Sequence, residues 1–191
     1  ADGHLWLVDP NDATGAFLQG LRGPSVSIAL LRHGTPVLGV VFAYTAPDDA
    51  GDLIFWAEGL PAIERNGHRL SRHWPHSPSK AAVVLTSVKR TAADVRHSQA
   101  LAHPMTVRQT PSIAYRLALV AAGEADLTVS STHLKSWDYA AGHALVNAAG
   151  GLLRGASGME ITYSEEGTSE TGGKLFGGSP ELVTEAARRW K

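Results

Sequence analysis

Apolar runs and polar breaks alternate along the chain in two rhythms. In the first part the runs are short and close together. HLWLVDP reads as a short buried strand that stops at Pro10, since proline cannot donate to a ladder. VSIALL (26–31) and PVLGVVFAY flank RHGT, whose glycine predicts a β-hairpin. DLIFWAE reads as a third strand, and ERNGHRL carries an Asn-Gly turn, so this stretch predicts an antiparallel sheet. SRHWPHSPSK (71–80) breaks the pattern and marks a lobe boundary.

Beyond it the spacing lengthens. AAVVLTS (81–87) and ADLTVSS predict strands. TAADVRHSQAL predicts a helix capped by Thr91. SIAYRLALVAAGEAD predicts another, with Ile113, Leu117, Val120 and Ala121 on one face and Gly123 as its stop. SWDYAAGHALVNAAGG predicts a helix capped by Ser136, and SPELVTEAARRW one capped by Ser179 with Pro180 in its first turn. ITYSEEGTSETGGK predicts a polar, mobile loop. Alternating strands and helices give an α/β (α+β) chain with a lobe over 1–78 and a second over 79–191.

Composition narrows the partners. The 191 residues are 43% hydrophobic and 18% charged, with a net charge of −1. That balance fits a globular chain and offers no basic surface for a nucleic-acid polymer. The absence of cysteine removes disulfides and thiolate metal sites. No apolar run reaches the ~18 residues of a membrane span, and no membrane partner is expected.

The chemistry sits in carboxylates. Asp9 and Asp12 fall on a sharp turn after the first strand, and Asp138 opens a later helix. Buried carboxylates held close together call for a cation, and Mg²⁺ suits an all-oxygen site. The amides of Ala13 and Thr14 at a helix start suit a phosphate. The nine histidines, including His68, His73 and His76, lack zinc-site spacing. His143 reads as a packed helix residue, and Trp6 and Trp137 as structural.

WLVDPNDATGAF resembles the W-x-V-D-P-x-D-G-T-x-x-F signature of the inositol monophosphatase superfamily, and SWDYAAGHALVNAAGG resembles its W-D-x-A-A-G signature. The resemblance covers essentially the whole chain. It implies a layered αβαβα fold and a Mg²⁺-dependent, lithium-sensitive phosphomonoesterase, commonly dimeric and cytoplasmic. It implies that Asp9 bridges two metals, that the Asn11 carbonyl serves the first, and that Asp12 and Asp138 complete the second. It implies that Thr14 orients the attacking water and the Ala13 and Thr14 amides bind phosphate. Ser112, at a helix start, would contribute to the substrate pocket.

The chain also departs from that pattern. Ala13 stands where Gly is usual, and Ser130-Ser131 where inositol-directed members carry an acid. HLKSWDYAAGHAL is closer to the 3′-phosphoadenosine 5′-phosphate phosphatases, with Lys135 facing an anionic substrate. The family's upstream metal-binding Glu has no counterpart, and Asp2 is too near the first strand to replace it. The N-terminal helices that carry it are expected to be absent from this chain. An exposed apolar sheet face should follow, covered by a complementary N-terminal chain or a dimer mate. Two functions stay open: a phosphatase acting on that nucleotide or on an inositol monophosphate, and a non-catalytic subunit of the same fold.

Overall fold

The computed structural model describes residues 3–88 and 91–190, which leaves Asp2 outside the described residues. Six strands build the first sheet: β1 (His4–Asp12), β2 (Ser25–Arg32), β3 (Thr35–Ala43), β4 (Asp52–Ala57), β5 (Glu64–Arg65) and β6 (His68–Arg69). They are antiparallel and lie in chain order. The hairpin turns are set locally. His33 and Asn66 have positive φ, each followed by a glycine with positive φ, the geometry that a two-residue hairpin loop requires.

Five strands build the second sheet: β7 (Val83–Thr86), β8 (Thr106–Gln109), β9 (Leu127–Ser130), β10 (Leu152–Gly155) and β11 (Leu175–Gly178). Their order is β10-β11-β9-β7-β8, with β7 parallel to both neighbours and the β9-β11-β10 side antiparallel. The short helix α1 (Thr14–Phe17) follows β1. Four longer ones are α2 (Ala92–Ala102), α3 (Ile113–Ala121), α4 (Ser136–Ala148) and α5 (Pro180–Arg189).

Helices α3 and α4 fill the space between the sheets, in one core with Leu7, Leu31, Val41 and Ile54 of the first sheet and Leu85, Leu153 and Leu175 of the second. A second core packs α2 and α5 against the outer face of the second sheet, around Val84, Ala102, Phe176 and Leu182. The layers run sheet, helices, sheet, helices, four consecutive layers of the expected αβαβα stack. Glycine permits the close approaches: a Cβ on Gly39 would meet the Ala141 carbonyl of α4, and one on Gly142 would meet Leu117 of α3. Among the described residues no helix is long and apolar enough to cross a membrane.

Three expectations need correction. Strand β1 runs on to Asp12 and lies at the sheet's edge, with only one face buried; Trp6 is 56% and Val8 50% exposed. Helix α3 is buried on every side, including Arg116, because it is covered by helix and sheet alike. Segment 161–174 is irregular yet anchored, with Ile161, Tyr163 and Thr171 buried and Gly167 packed against Leu5 and Leu7.

The outer face of the first sheet carries apolar rows. Trp6 lies beside Leu30 and Leu38, Val8 beside Ile28, Val40 and Phe55, and Val26 beside Phe42 and Leu53. All are partly or well exposed. These rows run side by side across four strands, the arrangement of an interaction surface rather than of scattered apolar residues.

Candidate active site

The candidate site forms where the end of β1 meets the first turns of α3 and α4. The β1–β2 register shifts between Asp9 and Asp12, which turns the chain and points it into α1. Asp9 Oδ1 accepts the Asn11 amide at 2.9 Å. The Thr14 hydroxyl donates to the Asn11 carbonyl at 2.8 Å, and Tyr44 donates to the Asn11 side chain at 2.6 Å. Ala13 adopts the left-handed conformation, φ 69 and ψ 42. That is the reason glycine suits this position; alanine holds it at a cost of about 1 kcal/mol.

Asp138 arrives from α4. Its Oδ2 accepts the Lys135 amide at 2.8 Å, so the helix begins one residue earlier than a Ser136 cap would place it: Lys135 is the cap and Ser136 the first helical residue. The Ser27 hydroxyl donates to the Trp137 carbonyl at 3.0 Å and ties this turn to β2. Trp137 itself is 44% exposed, and with Trp6 it faces solvent rather than packing a core. Burial pushes the Asp138 carboxyl up to about 6, and the charges of Asp12 and Asp9 add to that against the Lys135 amide, which draws it down.

Asp12 is buried. Its Oδ2 accepts the Ser112 hydroxyl at 2.5 Å and the Ala114 amide at 2.8 Å. Burial raises its carboxyl despite those donors and the Arg116 charge, and Asp9 raises it further. Ser112 caps α3 by accepting the Tyr115 amide at 2.9 Å. With its one proton given to Asp12, Ser112 accepts from the Ser25 hydroxyl at 2.8 Å. Ser112 has no exposed surface, so its hydroxyl serves the Asp12 carboxylate. Lys135 lines a cleft of about 1020 Å³ together with His133, Trp137, Tyr163 and Glu170. His143 is packed beneath it, Nδ1 at 3.1 Å from the Tyr163 hydroxyl, and burial lowers its pKa to about 4.

The fold thus gathers Asp9, Asn11, Asp12, Ala13, Thr14 and Asp138, with Ser112 behind them and Lys135 at the start of α4. The donors are all oxygens, and burial and like charge raise two of the three carboxyls, conditions that a hard cation relieves. The fit is partial: among the described residues no three His, Cys, Asp or Glu side chains come together closely enough to hold an ion. The sequence reading missed Ser25, Ser27, Tyr44 and Arg116. Each acts through a partner far along the chain, and no local pattern marks it.

The family model described as "Inositol monophosphatase family" matches residues 1–186. The 3′(2′),5′-bisphosphate nucleotidase CysQ of Escherichia coli is 34% identical over 167 residues, which is 83% of this chain and 62% of that protein. The Nus factor SuhB of Xylella fastidiosa is 32% identical over 168 residues, 85% of this chain and 58% of that one. This chain therefore spans less than two thirds of these relatives. The solved structure of an IMPase from Thermotoga maritima superposes with a TM-score of 0.76 at 25% identity, covering 99% of this chain and 69% of that one.

Proposed function

The chain belongs to the inositol monophosphatase family, and on that premise we propose that it is the metal-turn portion of a Mg²⁺-dependent phosphomonoesterase. The observation that supports this most is the convergence of Asp9, Asp12 and Asp138, with Asp138 pushed up to about 6 by burial and by the other two. Perturbed carboxylates grouped in this way are a signature of chemical sites.

Asp9, the Asn11 carbonyl, Asp12 and Asp138 would hold the metal. A bound Mg²⁺ would supply a Lewis acid and make water a better nucleophile. The chain's own residues do the rest. The Thr14 hydroxyl donates to the Asn11 carbonyl, so its lone pairs are left to accept a hydrogen bond from a water and aim that water's oxygen. The Ala13 and Thr14 amides, at the opening of α1, hold the phosphate. Asp138 lies one turn from Lys135, whose ammonium meets a second anionic group of the substrate.

A 3′(2′),5′-bisphosphate nucleotide fits better than an inositol monophosphate. The CysQ relative has that activity by name, Ser130-Ser131 offers no acid for a sugar hydroxyl, and Lys135 offers a cation. The three carboxylates do not complete a metal cage, so the remaining ligands come from elsewhere in the assembly. The apolar outer face of the first sheet suits a further helical segment of the protein to bring them, in keeping with the 31% of the Thermotoga chain left unmatched.

The test is phosphate release from 3′-phosphoadenosine 5′-phosphate and from inositol 1-phosphate, with and without Mg²⁺, using the full-length protein. Metal-dependent turnover that favours the nucleotide is expected. A folded protein that turns over neither would leave the non-catalytic reading, which the incomplete metal cage and the likeness to a Nus factor favour.

A further inference from the structure

Among the described residues Arg116 is one of the largest fully buried side chains, and the phosphatase reading gives it no role. Its guanidinium turns back along α3. Nε donates to the Ser112 carbonyl at 3.3 Å, and Nη1 donates to the Val129 carbonyl at 2.8 Å and lies 3.5 Å from the Thr128 hydroxyl of β9. All three acceptors are neutral. A cation with only neutral partners in the interior is costly to keep. Its position adds to the cost. The guanidinium sits at the N-terminal end of α3, where the helix dipole is already positive.

Both features call for an anion there, and the fold supplies Asp12. Its Oδ2 is bound by the hydroxyl of Ser112 and the amide of Ala114, the same first turn on which Arg116 folds back. Asp12 is the carboxylate whose charge acts on Arg116. Burial lowers the guanidinium to about 10, which leaves it charged at neutral pH.

We propose that Arg116 is a positioning residue for the candidate site: its buried guanidinium is the counter-charge that keeps the Asp12 carboxylate docked by Oδ2 on the first turn of α3. The docking engages Oδ2 and leaves Oδ1 to be offered to a metal. Only the last step, the offer of that oxygen to a metal, rests on the phosphatase reading. Ser25, which donates to Ser112, extends the same grip to β2.

The test uses the full-length protein in five forms: wild type, Arg116→Met, Arg116→Lys, Asp12→Asn and Asp12→Asn/Arg116→Met. Thermal midpoints are measured without metal, and Mn²⁺ binding is followed by electron paramagnetic resonance. Arg116→Met is expected to weaken Mn²⁺ binding at least fivefold, because an undocked carboxylate must be ordered when the ion binds. Arg116→Lys keeps the charge and should stay within twofold of wild type. The double variant should melt above Asp12→Asn, since it removes the cation that Asp12→Asn leaves unpaired.

Additive losses of midpoint, or an Arg116→Met protein that binds Mn²⁺ as wild type does, would overturn the inference. If Arg116→Met alone does not fold, the comparison of Asp12→Asn with the double variant decides, because coupling requires the second substitution to stabilise the first. A wild type that binds no Mn²⁺ would count against the phosphatase reading instead, and the midpoints would judge the role of Arg116 by themselves.

Discussion

Helix α3 reaches two buried carboxylates and treats them differently. Asp52, with no exposed surface, accepts both Nε and Nη2 of Arg65 at 2.8 and 2.9 Å, the Asn66 amide group at 3.1 Å and the Tyr115 hydroxyl at 2.8 Å. Its charge is matched by a bidentate cation and its lone pairs are filled. Asp12 receives one hydroxyl and one amide from the same helix, and the Arg116 charge that favours its carboxylate is outweighed by burial, to which Asp9 adds. A carboxylate completed by its neighbours holds the fold together. Carboxylates left partly uncompensated are the ones available to a ligand.

The sharpest way to break this contrast is to neutralise each cluster in turn. Asp9→Asn and Asp138→Asn should each lower Mg²⁺-dependent phosphate release by about 10³-fold or more, a loss of about 4 kcal/mol of transition-state stabilisation. The same variants should unfold in urea at or above the wild-type midpoint, since each removes a like charge from its neighbours. Asp52→Asn should do the reverse. It leaves Arg65 without its bidentate partner and should cost about 3 kcal/mol of unfolding free energy, while activity per folded molecule changes less than twofold. Loss of activity from Asp52→Asn without loss of stability would dissolve the distinction.

His143 tests the buried face of α4. Its pKa is lowered to about 4 by burial, so the unfolded chain takes up its proton first, near its ordinary value of about 6.5. Stability from the neutral ring is therefore complete above about pH 6.5 and declines as pH falls toward 4, by about 3 kcal/mol over that window. His143→Gln should flatten the pH dependence of the chemical-denaturation midpoint across that range. The smallest effect concerns the turn itself. Ala13→Gly relieves a left-handed alanine and should raise unfolding free energy by no more than about 1 kcal/mol, seen as a small rise in thermal midpoint. A fall would mean that the Ala13 methyl has contacts that matter more than its backbone.

Much of this was legible because it is local. Asn66-Gly67 and His33-Gly34 set hairpins through their own φ angles, and Thr91, Ser112 and Ser179 cap helices by bonds to amides three residues on. The carboxylates were legible as residues, because a strand ending in two acids is unusual. Strands β8, β10 and β11 escaped notice. TVRQ is polar, and LLRG and LFGG are too short and glycine-rich to carry an alternation. They are strands because neighbours pair with them. The edge position of β1 was equally hidden, since its apolar run looks the same in the middle of a sheet.

The sequence by itself determined the turns, the caps, the two sheet-forming halves and the identity of the acids at the end of the first strand. Each depends on residues within a few positions of one another, where backbone geometry and side-chain type suffice. The tertiary structure alone decided which acids meet. Asp12 finds Ser112 a hundred residues away, and Asp52 finds Arg65 and Tyr115. Arg116, which no local pattern marks, bonds to the same Ser112 that holds Asp12 and is kept in the interior because α3 is enclosed on all sides. A buried charge takes its meaning from what surrounds it, and those surroundings are assembled from parts of the chain that no local pattern connects.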